Sequence, residues 1–305
     1  MPFAFVTQTI QGNNAGNFDF SSFNAGSIGA FVYGLTEFYL VNGSPGAEIQ
    51  NFALDFTVSP GTGVGYSTVT LQPQVSSDMY IDGCWATVTV MAWLGGDTPE
   101  GIYLGNTTTN VGVAAQPIEI GFPPLYSCGV LAGFNLSFAS DSSDLLGIGA
   151  GSGVACTPYN GSTSYISPIT SGVLTGDSAF SGSVNTGIIC FTAPPSGLTF
   201  QMGTTVSPNG AVEMPAPDGV TDIWVFLQAF YAQFDIDTDP TPDLVSLQVG
   251  VTEVGVSVWD NEVGVMVTVD FQGLIYYNST RYGGGVSMPA SMQDATTTFL
   301  VVMTS

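Results

Sequence analysis

The densest group of potential metal ligands in the sequence is one acidic stretch. Four aspartates fall within nine residues, at Asp235, Asp237, Asp239 and Asp243. Alternate aspartates can turn several carboxylates toward one hard cation, and calcium takes roughly six to eight oxygen ligands. The spacing departs from the helix-loop-helix calcium motif, because Pro240 occupies the position of its glycine and its closing glutamate is missing. We therefore expect either a calcium site or a solvated turn here.

A second group of acids could act on glycosidic bonds. Glu253, Asp260 and Glu262 lie on or between two segments of strand-like periodicity, and two carboxylates can serve as acid and base in glycoside hydrolysis. Nothing in the sequence places them in a cleft. The aromatic residues that could stack on sugar rings, or else pack in a core, are Trp224, Trp259, Tyr276 and Tyr277.

The near-absence of basic residues excludes several classes of function. The 305-residue chain has one arginine, Arg281, with no lysine and no histidine, against 24 acidic residues and a formal charge of -23. Nucleic-acid binding needs several cations to neutralise phosphates, so we expect no nucleic-acid partner. Acid–base catalysis near neutral pH draws first on histidine, so we expect no enzymatic activity. Arg281 is expected to pair with a carboxylate, within the fold or across a subunit contact.

The four cysteines fit no zinc motif, because no two of them are close together in the sequence. They are Cys84, Cys128, Cys156 and Cys190, and they allow several disulfide pairings that the sequence cannot separate. Cys128 and Cys190 fall on the expected opening and closing strands of a middle unit, so a disulfide between them is geometrically plausible. The alternative is a set of buried thiols that pack as small apolar groups.

Five sequons for N-glycosylation occur in the sequence, which is rich in serine and threonine. They begin at Asn42, Asn106, Asn135, Asn160 and Asn278. Asn135 lies in an alternating segment, on the face opposite Phe134, Leu136 and Phe138. A glycan there would point toward solvent and would help to solubilise a surface poor in charge.

The residue pattern predicts strands almost everywhere. Residues 85–94 are rich in β-branched and aromatic residues without a polar face at helical spacing, and apolar residues alternate with polar ones along 244–258. Clusters of glycine and proline separate such segments, in a chain with 39 Gly and 18 Pro. The sequence contains no uninterrupted run of about 20 apolar residues, so we expect no membrane-spanning helix. The expected class is all-β, built from tandem antiparallel sandwich or jelly-roll domains.

A recurrent pattern of alternating aromatic residues predicts three such units. It occurs at residues 51–56, 133–138 and 229–234, and a closing apolar strand follows each. The alternative is that the pattern is merely that of any amphipathic strand. Composition suggests boundaries near residues 110 and 205, which gives this division: an N-terminal arm or first strand at 1–26, and sandwiches at 27–110, 111–205 and 206–305.

The N-terminal segment is polar and carries a short alternating stretch at Phe18 and Phe20. As an arm, it could add a strand to a neighbouring copy and insert these two rings into pockets. The alternative is an ordinary first strand and loop. Sheet edges in this chain also lack the lysines that usually protect edges from pairing.

Together these features favour a non-enzymatic structural protein whose partner is itself. We expect it to assemble into an extracellular filament, tube or surface layer, since neutral surfaces of small residues pack closely without charge repulsion. The alternative is a virion component, such as a tail-fibre, tube or shell protein, with carbohydrate or receptor binding. No cofactor is expected other than calcium.

Overall fold

The protein is an all-β molecule, here in a computed structural model. The structure describes residues 2–23, 27–42, 50–61, 66–97, 100–139, 145–160, 163–176, 179–234, 243–259, 262–277, 286–289 and 292–305. Strands make up 76% of the described residues. The only helix among the described residues is a single turn at Ile81–Gly83. The predicted all-β class is therefore confirmed, and no described helix is long and apolar enough to span a membrane.

The described residues form nineteen strands, numbered here in chain order. They are β1 (Phe3–Gln11), β2 (Gly16–Asp19), β3 (Ile28–Val41), β4 (Asn51–Pro60), β5 (Thr68–Val75), β6 (Trp85–Leu94), β7 (Ile102–Asn110), β8 (Ile118–Ile120), β9 (Tyr126–Phe138), β10 (Gly147–Asn160), β11 (Thr163–Thr175), β12 (Phe180–Phe191), β13 (Leu198–Thr205), β14 (Asn209–Pro215), β15 (Asp222–Phe234), β16 (Asp243–Trp259), β17 (Glu262–Tyr277), β18 (Val286–Pro289) and β19 (Met292–Thr304).

The strands form three antiparallel sheets. Sheet 1 has the order β1-β6-β3-β16-β17-β14, and β18 also pairs with β17. Sheet 2 has the order β2-β5-β4-β9-β12-β7, and sheet 3 has the order β13-β19-β15-β10-β11-β8. Strands that are distant in sequence therefore lie side by side at the middle of every sheet.

The strand pairing repeats three times along the chain. In β1–β6, the first and third strands pair with the sixth, and the second and fourth pair with the fifth. The same pairings recur in β7–β12 and in β13–β19, where β18 is an additional strand. We call these segments unit 1, unit 2 and unit 3.

The three units close into a ring. The fourth strand of each unit pairs with the third strand of another, as β4 with β9, β10 with β15, and β16 with β3. The last of these pairings brings unit 3 back to unit 1. Every sheet therefore combines strands from two units, and none of the described sheets is formed by one unit alone.

The units do not begin and end at the expected boundaries. Strand pairing places them at residues 3–94, 102–191 and 198–304, so that β1 and β2 belong to unit 1. Compositional breaks near 110 and 205 were misleading because the threonine-rich residues before 110 form an outer strand, β7. Threonine is a favourable strand residue, so a polar stretch of this kind need not be a linker.

The third strands of the three units share a repeat of 96 residues, which places equivalent residues on a common axis. Phe38, Phe134 and Phe230 recur at that interval, and all three are almost fully buried. Their ring centroids lie 5.3 Å (Phe38–Phe134), 5.2 Å (Phe38–Phe230) and 5.4 Å (Phe134–Phe230) apart. The three rings thus form a triangle at the centre of the ring, within the distances favoured by aromatic pairs.

The aromatic pattern in the sequence identified two of these three strands. The segments at 133–138 and 229–234 lie in β9 and β15, which are equivalent, but the segment at 51–56 lies in β4, a fourth strand. The true counterpart in unit 1 is β3, with Phe38. Alternation alone could not separate the two, because the alternating apolar residues of 51–56 and of 133–138 are buried alike.

A β-bulge occurs at the same place in each third strand. Thr36, Ala132 and Gln228 have no partner in the ladder to the sixth strand, and they too are 96 residues apart. A bulge bends its strand and redirects the side chain of the extra residue. Here two of the three redirected side chains reach another unit.

These side chains connect the units in a cycle of hydrogen bonds to backbone carbonyls. The Thr36 hydroxyl donates to the Val225 carbonyl at 2.8 Å, and the Gln228 amide donates to the Gly129 carbonyl at 2.9 Å. Ala132 has no donor to offer. The equivalent bond comes instead from Asn106 on β7, whose side-chain amide donates to the Tyr33 carbonyl at 3.0 Å. The same side chain accepts from the Tyr33 N–H at 3.2 Å. The three carbonyls, of Tyr33, Gly129 and Val225, are again at intervals of 96 residues.

Residues of unequal size fill the axis beside the bulges. Gly34, Val130 and Phe226 occupy equivalent positions, and a Cβ on Gly34 would lie 2.9 Å from both the Phe226 ring and the Val130 side chain. Glycine in unit 1 therefore leaves the room that phenylalanine takes in unit 3. The ring is symmetric in its backbone pairing, whereas its packing is specific to each unit.

We predict that the phenylalanine triangle stabilises all three units together. Replacing a buried phenylalanine by alanine costs about 3–5 kcal/mol, so F38A, F134A and F230A should each lower the free energy of unfolding by a similar amount. Guanidinium unfolding followed by tryptophan fluorescence measures this. L125A is the control, since Leu125 is 84% exposed. A loss for only one of the three phenylalanine variants would contradict a shared central cluster.

Candidate functional site

The outer strand at each edge of a sheet offers backbone groups through which this ring could contact another molecule. Each sheet ends on one side with the first strand of a unit, β1, β7 or β13. On the other side it ends with the second strand of a unit, β2, β8 or β14. An outer strand presents N–H and C=O groups on one side that no neighbouring strand of its sheet uses.

Charge separates the two kinds of outer strand. The three first strands contain 9, 9 and 8 residues and no charged side chain. The three second strands contain 4, 3 and 7 residues, and each carries one acid, which is Asp19, Glu119 or Glu213. Short length and charge both hinder pairing with another chain. The second strands are therefore protected, and the first strands are not.

The acid at the end of β2 stays ionised well into the acidic range. The Ser21 backbone N–H and the Ser21 hydroxyl donate to the Asp19 carboxylate at 2.8 Å and 2.9 Å. These bonds favour the charged form and lower the pKa of Asp19. That edge of sheet 2 keeps its negative charge where an ordinary aspartate would begin to lose it.

Among the first strands, β13 presents the most apolar surface to solvent. Met202 in β13 is 69% exposed, and Val206, which follows the strand, is 78% exposed. By contrast, β1 stacks Phe5 on Trp224 with ring centroids 4.0 Å apart, and β7 is bound to β3 through Asn106. We call β13 and Val206 the β13 edge. It is an uncharged strand with exposed apolar side chains on a chain of high negative charge.

The residues expected to insert into a neighbouring copy lie inside the protein instead. Phe18 and Phe20 have no exposed surface and belong to the main core, and β2 pairs with β5 of its own unit. The N-terminal arm is therefore wrong, and the first-strand alternative is what the structure has. Arg281, the other expected assembly residue, lies outside the described residues.

The predicted disulfide between Cys128 and Cys190 is wrong. All four cysteines are free, and β9 pairs with β12 so that Cys128 faces Ile189 while Cys190 faces Ser127. Because side chains alternate along a strand, this offset of one residue puts the two thiols on opposite faces of sheet 2. Sequence spacing placed the cysteines on adjacent strands but could not give the register between them.

The buried thiols are poor nucleophiles. Burial raises the pKa of Cys128 and of Cys190 to about 12, and it also raises the pKa of Cys84. Cys156 is only half-buried. The thiolate is the reactive form, so burial and the raised pKa values both protect the first three residues from alkylation and oxidation.

The sequons differ in what their asparagines do. Asn135 is exposed, whereas Phe134 and Leu136 beside it are buried, as the alternation predicted. Asn106 uses its side-chain amide to bind the Tyr33 backbone, so a glycan on that nitrogen would break a contact between units. Asn42 is 9% exposed. The side chain of Asn160 and all of Asn278 lie outside the described residues.

The candidate metal ligands cannot be placed. Asp235, Asp237 and Asp239 lie outside the described residues, as does the side chain of Asp243, whose backbone begins β16. Within the part of the chain that the structure describes, no three acidic or cysteine side chains come together as a metal site. The calcium site stays a prediction.

The carboxylates considered for glycoside hydrolysis form no described pair. Glu253 is exposed on β16 and Glu262 begins β17, while Asp260 lies outside the described residues. Trp224 is half-buried against Phe5, so it packs in the core as one alternative held. The structure does not describe the side chains of the other three aromatic residues, Trp259, Tyr276 and Tyr277.

Comparison with known proteins gives no relative from which to transfer a role. No protein-family model matches the chain, and no curated protein matches it significantly.

We predict that thiol reactivity follows burial. With iodoacetamide at pH 8, Cys156 should be labelled first, and Cys128 and Cys190 more than about tenfold more slowly, because their thiols are buried and protonated. Mass spectrometry of peptides from a time course measures the rates. After unfolding without reductant, all four should label. A pair that stays unlabelled under those conditions would reveal a disulfide and contradict the free thiols.

Proposed function

We propose that this protein is a structural subunit that assembles with copies of itself into an extracellular filament, tube or surface layer. The observation that carries this proposal is the charge pattern of the outer strands. The first strand of every unit is uncharged, in a chain whose formal charge is -23.

Electrostatics explains why this pattern favours contact between copies. Two copies repel each other wherever their acidic residues approach. In physiological salt, however, charges interact only over about 8–10 Å, so what matters is the charge near the contact. A strand of eight or nine uncharged residues allows two copies to approach without local repulsion and with main-chain hydrogen bonds available.

Apolar surface on the β13 edge adds a favourable term. Met202 and Val206 are largely exposed in a single copy and would be covered by a strand from a second copy. Burial of apolar surface contributes about 25 cal/mol per Å². Assembly through such contacts would depend little on salt, since it uses no ion pairs.

The extracellular location is supported by composition. A chain with one arginine and no lysine offers almost no site to trypsin-like proteases. Long charged side chains are also rare on its surface, so neighbouring subunits can pack closely. Both properties suit a durable polymer outside the cell.

A virion component is the second candidate, and the closed ring of three units favours it. Each unit sends its first, third and sixth strands to one sheet and its second, fourth and fifth to another, which resembles the connectivity of a jelly roll. Jelly rolls build viral capsid and lectin domains. A single chain with three such units has the shape of a trimer and would fit a threefold position in a shell or at a fibre tip.

We predict that M202D weakens assembly. A carboxylate on the β13 edge would face a like charge in a paired copy, and a cost of about 1.4 kcal/mol per contact raises the concentration needed for assembly roughly tenfold. Sedimentation velocity and electron microscopy over a concentration series measure it. V113D is the matched control, since Val113 is 60% exposed on a turn and receives the same charge.

Two results would overturn the proposal in different ways. Monodisperse single copies at every concentration would exclude self-assembly. Assembly of folded M202D at the concentration of the unmodified protein would exclude the β13 edge but leave assembly intact. Recovery of the protein from washed cells or from gradient-purified virions decides between the two candidates.

A further inference from the structure

A cavity of about 630 Å³ lies where unit 3 closes onto unit 1. Its volume is within the range of about 300–1,000 Å³ that is usual for small-molecule sites. The side chains that carry the argument come from β3, β6, β14, β16 and β17, and they are Tyr39, Trp85, Asn209, Ser246, Gln248 and Gln272. This site is independent of the β13 edge and of the assembly proposed above.

The cavity occurs at the junction where the ring departs from its threefold pattern. Within the described ranges, only unit 3 has an additional strand, β18, which pairs with β17 from Leu274, a residue of the cavity wall. The residues equivalent to Tyr39 are Asn135 and Tyr231, at intervals of 96 residues. Neither of these lines the cavity. The cavity therefore lies at the junction that also carries the additional strand β18.

Two aromatic rings form one side of the cavity. Tyr39 and Trp85 are directly opposite each other on β3 and β6, and both are half-buried. Their ring centroids lie 6.1 Å apart with an angle of 27° between the planes. The rings are stacked on each other and nearly parallel, and both line the cavity. The negative face of an aromatic ring attracts the weakly positive C–H groups on one side of a sugar ring.

Side-chain amides form the polar side. Gln248 donates to the Glu37 carboxylate at 2.8 Å, and Gln272 donates to the Asp270 carboxylate at 2.5 Å. Asn209, placed with its amide nitrogen toward Asp270, donates to that carboxylate as well. Each carboxylate thereby fixes the orientation of its amide. An oriented amide offers both N–H donors and a carbonyl acceptor, which suits hydroxyl groups that donate and accept.

The charge around the cavity selects against anions. Glu37 and Asp270 accept hydrogen bonds from these amides, and among the described residues no cationic side chain lines the cavity. Burial raises the pKa of Glu37, and the neighbouring Asp270 carboxylate adds to this, while the bond from Gln248 acts against it. Any additional negative charge from a ligand would meet repulsion from these two carboxylates.

We propose that this cavity binds a neutral carbohydrate, with Tyr39 and Trp85 stacking on the sugar ring and Gln248 and Gln272 bonding its hydroxyl groups. A neutral carbohydrate combines apolar ring faces, many hydroxyl groups and no charge. The aromatic rings, the amides and the carboxylates at this cavity match these three properties in turn. An acidic saccharide shares the first two properties and is excluded by the third.

Binding is tested with defined saccharides on the full-length protein. The probes are neutral di- and trisaccharides ending in glucose, galactose, mannose or N-acetylglucosamine, with lactose and sialyllactose as a pair that differs by one acidic residue. Saturation-transfer NMR detects contact with the sugar, and titration of tryptophan fluorescence gives the affinity. We expect at least one neutral saccharide to bind and sialyllactose to bind at least about fivefold more weakly than lactose.

The variants use the threefold pattern of the ring as an internal control. Y39A should weaken binding about tenfold or more, by loss of a stacking face. Y231A removes the same side chain at the equivalent position outside the cavity and should leave the affinity unchanged. Gln272 is exposed, so Q272A should keep the fold and weaken binding by roughly fivefold for one lost hydrogen bond.

Three outcomes overturn the proposal. One is the absence of any saccharide contact in the NMR experiment. Another is equal loss of binding in Y39A and Y231A, which would place the sugar elsewhere or reveal a general loss of structure. The third is sialyllactose binding as tightly as lactose, which would contradict the exclusion of acidic saccharides by Glu37 and Asp270.

Discussion

Closure of the ring is the constraint on which the rest of the structure depends. The fourth strand of every unit completes its hydrogen bonds only by pairing with the third strand of another unit. Leaving one junction open would expose two central strands and the faces of Phe38, Phe134 and Phe230. Unpaired backbone and exposed aromatic surface are both costly in water. The three units are therefore expected to fold and unfold as one body.

The chemistry of the junctions follows from the composition of the chain. With a single arginine, ion pairs can contribute almost nothing to holding the units together. Apolar packing and neutral hydrogen bonds remain. Thr36, Gln228 and Asn106 cap three equivalent carbonyls, and the bulges at Thr36 and Gln228 direct the first two side chains to do so. The equivalent residue Ala132 has no donor, and Asn106 on a different strand supplies the bond to the Tyr33 carbonyl instead. The capped carbonyl is therefore the same in all three units, although the residue that caps it differs.

The three repeats distinguish residues that hold the ring together from features that belong to a single junction. Positions that recur at 96 residues, such as Leu35, Leu131 and Leu227, are buried in all units and serve the ring itself. The cavity beside Tyr39 lies at the junction of unit 3 and unit 1, and within the described part of the chain only unit 3 has the additional strand β18. A feature that the ring does not need for closure is free to serve binding. The uncharged first strands are common to all units, which fits a role in assembly better than a role in recognising one ligand.

The sequence by itself determined the strand class and the alternation of buried and exposed residues around Asn135, whereas the absence of functions that need cations stays a prediction from composition. These follow from local periodicity and from composition, which act without knowledge of distant contacts. It also predicted three units, each with a closing apolar strand. Only the tertiary structure decided that Phe18 and Phe20 are core residues, that β3 rather than β4 is the counterpart of β9, and that Cys128 and Cys190 face apart. Each of these depends on which strand lies beside which, and in what register. A register shift of one residue exchanges the two faces of a strand while leaving its sequence pattern unchanged.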